Sequence, residues 1–376
     1  MVSAGKTENR SVTEQRPTPV GRPSSRSRTP VADQTRKRRP RQQRRATIVD
    51  VARASGVSLS AASYALNGKP GVSEATRALV VRTAEQLGWV PSHTARALQG
   101  QRTRVVGLVF AVDGPAQRSL SDYMMRFVNG INTELAADDR AMLVTTVDSA
   151  ESELEVYRSW ASQRRVDGFV ITNVRRDDAR LDLVQKLEIP AVIAGDVRGH
   201  SPVPSVWTDD AAAMTMTLDH LLSKGHRRIV RFSDNPHYLH AEQRAAAFED
   251  YLAEHGLRAD GNLTAAPNRV ETTAQLRVLL AEPDPPTALI CDSADRACQT
   301  LLALKDLGRP VPEDLALVVW DDAPVCEITT PTLTAVARDA FDYGAAVARQ
   351  LVAQLSGTAA GDCQGIVSEL IVRESS

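Results

Sequence analysis

Aromatic side chains make up only 4% of the 376 residues, and cysteine is scarcer still, with four in all. Cys291, Cys298, Cys326 and Cys363 form no C-x-x-C pair and no regular spacing, which excludes a disulfide framework and a thiolate zinc site. Isolated reduced thiols are expected. No apolar run approaches the roughly 20 residues of a membrane span. The Arg-rich start also lacks the apolar middle of a secretory signal, so the chain is expected to stay in the cytoplasm, away from membranes. Catalytic signatures are missing as well: there is no G-x-S-x-G, H-E-x-x-H or P-loop, and VFAVDGPAQ after the first expected strand holds one glycine where a dinucleotide fingerprint needs several. The histidines at 93, 200, 220, 226, 237, 240 and 255 show no metal spacing. No enzyme activity, catalytic residue, metal ligand or cofactor is expected.

What is present is unevenly distributed. The whole chain carries a net charge of −1, yet residues 1–45 hold eleven Arg and two Lys against three acids, a net of +10 that leaves −11 for the rest. That segment also contains Pro17, Pro19, Pro23, Pro30 and Pro40 and almost nothing apolar. Ordering it could not be offset by a core, so residues 1–45 read as a disordered basic tail. Its block Arg36–Arg45 suits DNA phosphates, because each contact releases counterions; a solvated extension is the alternative.

The clearest local signal lies in TIVDVARASGVSLSAASYALN, residues 47–67. Ile48, Val51, Ala52 and Ala54 fall on one face of a short helix that Thr47 caps and Gly56 ends. Ser58 then caps a second helix with Ala62, Ala65 and Leu66 inward. Two short helices around a glycine corner make a helix-turn-helix. A third helix, Ser73 to Gly88, places Ala78, Val81, Ala84 and Leu87 at covering positions. From Val105 onward short apolar runs (VVGLVF, AMLVTTV, VDGFVIT, PAVIAG, RRIVRF, TALIC, LALVVW) alternate with helical segments such as SELEVYRSWASQ and ETTAQLRVLLAE. That alternation implies parallel α/β sheets.

From residue 46 to the end the chain resembles the lactose/galactose repressor family of bacterial transcription regulators. The matching phrases run in order: TIVDVARASGVS, YALNGKPGVSEATR, LGWVPSHTARALQ, VVGLVF, RRVDGFVIT, IPAVIAGD, TDDAAA, HLLSKGHRRI, PPTALICD, VPEDLALVVWDD, PTLTAV and LIVRES. The resemblance implies a small all-α helix-turn-helix head (46–90), a hinge (91–103), and a periplasmic-binding-protein-like α/β core of two doubly wound parallel-sheet lobes (104–376). It places the N-lobe at about 104–198 and 337–357 and the C-lobe at about 202–335 and 360–376. Crossings are expected near Gly195–Ser205, near Ala335–Arg338 and before the last strand.

The resemblance also implies roles. Leu59, Ser60 and Tyr64 match the base-reading positions; relatives often carry Arg at the last, and Tyr64 cannot fork a guanine as Arg does. Ser58, Ser63 and Asn67 have short polar groups suited to phosphate oxygens, though Ser58 and Ser63 would also serve as simple caps, and Thr47 and Ala61 are expected among the DNA-binding residues. Ala95, Arg96 and Leu98 match the hinge helix, where a leucine enters the minor groove; packing within a linker is the alternative for Leu98. Arg244 and Asp321 match residues used on the effector, and Tyr123, Asp209 and Ser293 match positions lining the same cleft.

Departures from the family pattern lie at Tyr123-Met124, at Ser293-Ala294 and at Arg269, where an aromatic often stacks on a sugar ring. A cleft-lining Arg269 would favour a more anionic effector such as a sugar phosphate or uronate; an Arg269 in solvent leaves an ordinary sugar. The expected protein is a homodimeric regulator, most simply a repressor, binding a pseudo-palindromic double-stranded DNA operator and a sugar or sugar-derivative effector. Two rivals stand beside it: a periplasmic-type solute-binding protein without DNA function, against which residues 46–100 argue, and a sugar enzyme fused to a DNA-binding head.

Overall fold

The computed structural model describes residues 46–89, 102–111, 121–197, 201, 203–358 and 361–376. The expected tail and most of the expected hinge, with Ala95, Arg96 and Leu98, lie outside the described residues. The chain divides into two units, Met1–Val90 and Pro91–Ser376.

The first unit is built from α1 (Ile48–Ser55), α2 (Leu59–Leu66) and α3 (Glu74–Gln86). Thr47 and Asp50 form a capping box at the start of α1, and Gly56 closes that helix at φ +67°, a left-handed conformation that only glycine adopts without cost. Ser58 and Ser73 cap α2 and α3. Val51, Ala52, Ala62, Ala65, Val80 and Ala84 form the core.

Two sequence expectations shift here. Ala54 faces outward while Ser55 is buried, its hydroxyl donating to the Val51 carbonyl at 2.7 Å. In α3 the inward side chains are Val80, Thr83 and Ala84, and Ala78, Val81 and Leu87 are not part of the buried face. Arg77 sets that rotation: its guanidinium donates to the carbonyls of Ala65 at 3.1 Å and Lys69 at 2.9 Å, so the stripe one turn on from Arg77 meets α2.

The second unit holds two six-stranded sheets. In chain order its elements are β1 (Val105–Ala111), α4 (Asp122–Ala137), β2 (Ala141–Val147), α5 (Ala150–Ser162), β3 (Gly168–Ile171), α6 (Ala179–Lys186), β4 (Ala191–Ala194), β5 (Ser205–Thr208), α7 (Asp210–Ser223), β6 (Ile229–Ser233), α8 (Leu239–Glu254), β7 (Asn262–Thr264), α9 (Arg269–Leu279), β8 (Ala288–Cys291), α10 (Ala294–Asp306), β9 (Ala316–Trp320), α11 (Pro324–Ile328), β10 (Thr334–Ala337), α12 (Ala340–Leu355), β11 (Cys363–Ile366) and β12 (Glu369–Ile371). The N-lobe sheet runs β11-β5-β4-β3-β1-β2, all parallel, and the C-lobe sheet runs β12-β10-β9-β8-β6-β7, parallel except for β12. Successive residues alternate between two cores: Leu108 and Val170 pack with α4 and α12, whereas Val109, Phe169 and Ile171 pack with Tyr157 and Trp160 of α5. The C-lobe repeats this with Leu289 and Leu317 on one face and Ile290 and Val318 on the other. Both lobes are therefore doubly wound, and the uninterrupted apolar runs reflect burial on two faces.

Lobe boundaries differ from those expected. β5 and β11 belong to the N-lobe sheet, so residues 203–208 and 363–366 leave the expected C-lobe. The first crossing comes after Thr208, where α7 turns Ala213, Met214 and Leu218 into the C-lobe core. The third lies between Ile366 and Glu369, and the crossing near Arg338 is where it was expected. Short strands such as SVWT carry too few residues for periodicity to assign them to a sheet.

α4 and α12 pack at a close crossing made by Gly130 and Gly344. A methyl on Gly344 would lie 2.1 Å from the Phe127 carbonyl oxygen, and one on Gly130 would lie 1.9 Å from that of Phe341. Gly344→Ala is expected to lower the unfolding free energy by about 3 kcal/mol, the cost of forced overpacking, read by urea unfolding. Gly361→Ala, with nothing within 4 Å of the added methyl, is expected to change it by less than about 0.5 kcal/mol.

Candidate functional site

Two surfaces carry the expected residues. On the first unit, α2 presents Leu59 at 51% exposure and Tyr64 at 45%, with Ser60 exposed beside them. Lys69 sits over the Tyr64 ring, 6.0 Å from its centroid. Large apolar side chains held outward on the second helix of a helix-turn-helix are available to base edges, and serine and lysine to phosphates. The others are committed locally. Thr47 is engaged with Asp50, Ser58 accepts from the Ala61 N–H at 3.1 Å, and Asn67 donates to the Ser63 carbonyl at 2.8 Å.

On the second unit, a cleft of about 840 Å³ opens at the carboxyl ends of the strands of both sheets. That is the usual ligand position in open α/β sheets. Tyr123, Arg244, Ser293 and Asp321 line it, contributed by α4, α8, the β8–α10 turn and the end of β9.

Two expected residues do not. Asp209 is the cap of α7, its carboxylate accepting from the Ala212 N–H at 2.9 Å, and its neighbour Asp210 enters the cleft instead. Arg269 starts α9 on the outer surface, 46% exposed, with Nε 2.8 Å from Asp306 Oδ2. The case for an anionic effector drawn from Arg269 therefore falls.

The cleft floor is a lattice of ion pairs. Arg244 donates through Nε to Asp210 Oδ2 at 2.7 Å and lies over the Trp320 ring, 4.4 Å from its centroid. Arg338, in the crossing after β10, donates through Nε to Asp321 Oδ1 at 2.9 Å, reaches Asp210 Oδ1 at 3.5 Å, and covers the Tyr123 ring at 5.0 Å. Behind them Arg231, fully buried within β6, holds Asp292 through Nε at 2.9 Å and Asn262 through Nη1 at 2.6 Å. Arg296 pairs with Asp234 at 2.9 Å. Asp321 is held with φ +76°, a left-handed conformation that costs energy in a non-glycine residue and is found at ligand sites.

These pairs set the protonation states. Burial pushes the Asp210 carboxyl up, but the Arg244 and Arg338 guanidiniums outweigh it and bring it down to about 2. Burial, and then the Arg244 charge, push the His240 imidazole down to about 3. Burial, opposed by Arg338, pushes the Tyr123 phenol up to about 12. At neutral pH Asp210 is charged and His240 and Tyr123 are neutral, while burial, opposed by Arg231, pushes the Asp292 carboxyl up.

Asp210, Arg231, His240, Asp292, Arg296 and Arg338 were not singled out from sequence. Only Arg231 left a clear trace, as the one charge in the stretch IVRFS. A buried charge in a strand needs a partner.

A helix-turn-helix head joined to a two-lobed core with a polar cleft defines a DNA-binding transcriptional regulator with a ligand-binding module. Residues 47–92 match the model of bacterial regulatory proteins of the lacI family, and residues 218–376 match the periplasmic binding protein-like domain. The HTH-type transcriptional regulator RafR of Escherichia coli is 30% identical, over 76% of this chain and 84% of its own length. CelR of Thermobifida fusca is 28% identical, over 88% and 98%. The chain belongs to the lacI family of bacterial regulatory proteins.

Among solved structures, the CelR–cellobiose complex matches with a TM-score of 0.66 at 27% identity, covering 88% of this chain and 100% of that one. The lac repressor dimer bound to operator matches with a TM-score of 0.75 at 22% identity, covering 88% and 99%, a likeness of fold. The relatives are transcriptional regulators, not enzymes.

The neutral His240 generates a pH dependence. An unfolded chain takes up the proton first as pH falls, so this contribution to stability is complete above the ordinary 6.5 and is lost progressively toward 3. Between pH 7 and 4 the melting temperature of the wild type is expected to fall further than that of His240→Asn. Parallel melting curves for the two would show that His240 does not titrate differently on folding.

Proposed function

We propose that this regulator is a cytoplasmic repressor that binds a pseudo-palindromic operator as a homodimer, with its affinity for DNA set by a sugar or sugar derivative held between the lobes. The outward row Leu59, Ser60 and Tyr64 on α2 is the observation that carries the DNA reading. Two such helices related by a dyad would read two half-sites, so operator symmetry follows protein symmetry. Leu59 offers a surface for a thymine methyl, Ser60 a hydroxyl for either purine edge, and Tyr64 a ring without the fork that clamps guanine. Ser58, Ser63 and Asn67 would face the phosphates, with Thr47 and Ala61 at the same DNA-binding surface. Ala95, Arg96 and Leu98 would form the minor-groove hinge, with residues 1–45 adding phosphate attraction.

The cleft supports the sensing half. Arg244 and Asp321 set a planar donor and a carboxylate acceptor in one wall, a pair suited to hydroxyls that both donate and accept. The relative CelR is described in complex with cellobiose, which supports a sugar here too. Ligand closing the lobes would alter DNA affinity, and operator would alter ligand affinity by the same factor. No catalytic step is proposed, because Asp210, Asp292 and Asp321 are each occupied by a guanidinium.

Selection of the full chain on a random palindromic library is expected to enrich a single motif. Failure to enrich any palindrome, with or without sugars, would overturn the proposal. Tyr64→Arg is expected to move one base per half-site toward guanine with about 1–3 kcal/mol of discrimination; an unchanged motif would remove Tyr64 from base reading. Deleting residues 1–45 is expected to flatten the salt dependence of DNA binding, and an identical slope would make the tail a bystander.

A further inference from the structure

The charge balance of the cleft narrows the chemistry of its ligand. Four guanidiniums border it or lie just behind it among the described residues, and each already has a carboxylate: Arg231 with Asp292, Arg244 with Asp210, Arg296 with Asp234, Arg338 with Asp321. Asp295 lines the same cleft beyond those four pairs. His240 is neutral at physiological pH and adds no positive charge. The described wall is thus richer in carboxylate than in cation.

The open hydrogen-bonding atoms have the same bias. Arg338 spends both Nε and Nη2 on Asp321 Oδ1, and Asp321 Oδ2 accepts nothing among the described residues. Asp234 receives Arg296 on Oδ1 alone. Asp295, exposed in the first turn of α10, has no hydrogen bond or ion pair among the described residues. Asp234, Asp295 and Asp321 follow β6, β8 and β9, which are neighbours in the sheet, so their carboxylates share one edge of the cleft.

An independent sign that a ligand is held here comes from Arg244. It is only 4% exposed and lines the cleft, and its Nη1 and Nη2 have no hydrogen-bond partner among the described residues. Neither Nη is among the fully buried orphan atoms, so both open onto the cleft, where an incoming oxygen can meet them.

We infer that the cleft takes a polyhydroxylated ligand without negative charge, and that a protonated amine among its hydroxyls strengthens binding through the carboxylate edge formed by Asp234, Asp295 and Asp321. This rests on the proposed sugar-responsive reading and names the charge class within it. Hydroxyl oxygens accept from Arg244, while hydroxyl and ammonium hydrogens go to the open carboxylate oxygens. A phosphate or uronate would find every described cation already neutralised and would face those oxygens, a like-charge contact that disfavours binding once water is expelled.

The test is calorimetric titration of the full-length protein at low salt with matched sets: glucose, glucosamine, glucuronate and glucose 6-phosphate; the galactose equivalents; and cellobiose and melibiose as neutral disaccharides. In any set that binds, the amino sugar is expected to be about tenfold tighter than its neutral parent and the anions at least about tenfold weaker. Asp295→Asn, on an exposed helix turn where folding is not at stake, is expected to shrink the ratio of amino-sugar to neutral-sugar affinity, and an unchanged ratio would remove the carboxylate edge from the amine preference. Binding confined to uronates or phosphates, or an amine no better than its parent, would overturn this inference and leave the sugar reading intact. Silence across the whole panel would overturn the sugar reading and this inference with it.

Discussion

In the second unit one guanidinium ties together two of the crossings between the lobes. Arg338 lies in the chain crossing after β10, and it reaches both the Asp321 carboxylate at the end of β9 and the Thr208–Asp210 segment of the crossing after β5. Two of the three segments of chain that join the lobes are thereby tied at one point, over the ring of Tyr123 from the N-lobe helix α4. A buried ion pair of this kind adds little net stability compared with an apolar packing of equal volume. Its loss is costly, because removing one partner leaves a charge stranded, commonly at about 3–5 kcal/mol. Its value is geometric: a planar fork with two carboxylates has few acceptable arrangements, which fixes how the two crossings sit against each other.

The opposite rim of the cleft is joined differently. The Leu239 N–H donates to the Val174 carbonyl at 2.8 Å, and Gln243 donates to the Asp196 carbonyl at 2.9 Å. The Arg176–Glu242 pair beside them is exposed on the arginine side, at 72%. Arg175 also lies over the buried Tyr238 ring, 5.7 Å from its centroid, and Leu239 packs on the N-lobe core, so apolar burial joins these hydrogen bonds in holding the rim. A ligand spanning Arg244 in the C-lobe and Tyr123 in the N-lobe would then shift the balance by its own differential contacts, which is all that coupling requires.

How much of this architecture is legible in the sequence divides along physical lines. The helix-turn-helix can be read because caps and glycine corners are local: Thr47, Gly56, Ser58 and Ser73 act within a few residues of themselves. The rotation of α3 cannot, since it depends on Arg77 finding the carbonyls of Lys69 and Ala65 in an earlier part of the chain. The long apolar runs became strands, whereas β5, β7 and β11 are short and are assigned by their neighbours in the sheet. In the cleft, Arg244, Asp321 and Asp209 all follow from the family resemblance, and the resemblance misses by one residue at Asp209, where the neighbouring Asp210 is the one that lines the cleft. Only the backbone separates them: the first caps α7, and the second begins it and turns inward toward Arg244. Arg269 failed for a similar reason, since a position at the start of a helix can face the cleft or the outside and Asp306 decides which.

The same segregation of charge that is visible along the sequence limits how the two functions can be combined. Residues 104–376 carry a net −14, the head 46–90 only +1, the linker 91–103 +2, and the tail +10. A sensing module that acidic is repelled by a phosphate backbone, and the folded head has little charge with which to offset it. The positive charge available for long-range attraction to DNA then lies chiefly in residues 1–45, while α2 presents uncharged side chains. Such a division makes nonspecific affinity steeply salt-dependent while leaving discrimination between sequences to short-range contacts that salt barely touches. A carboxylate-rich cleft is consistent with this arrangement, because the negative module that must not bind DNA by itself is also the one that selects its ligand by excluding anions.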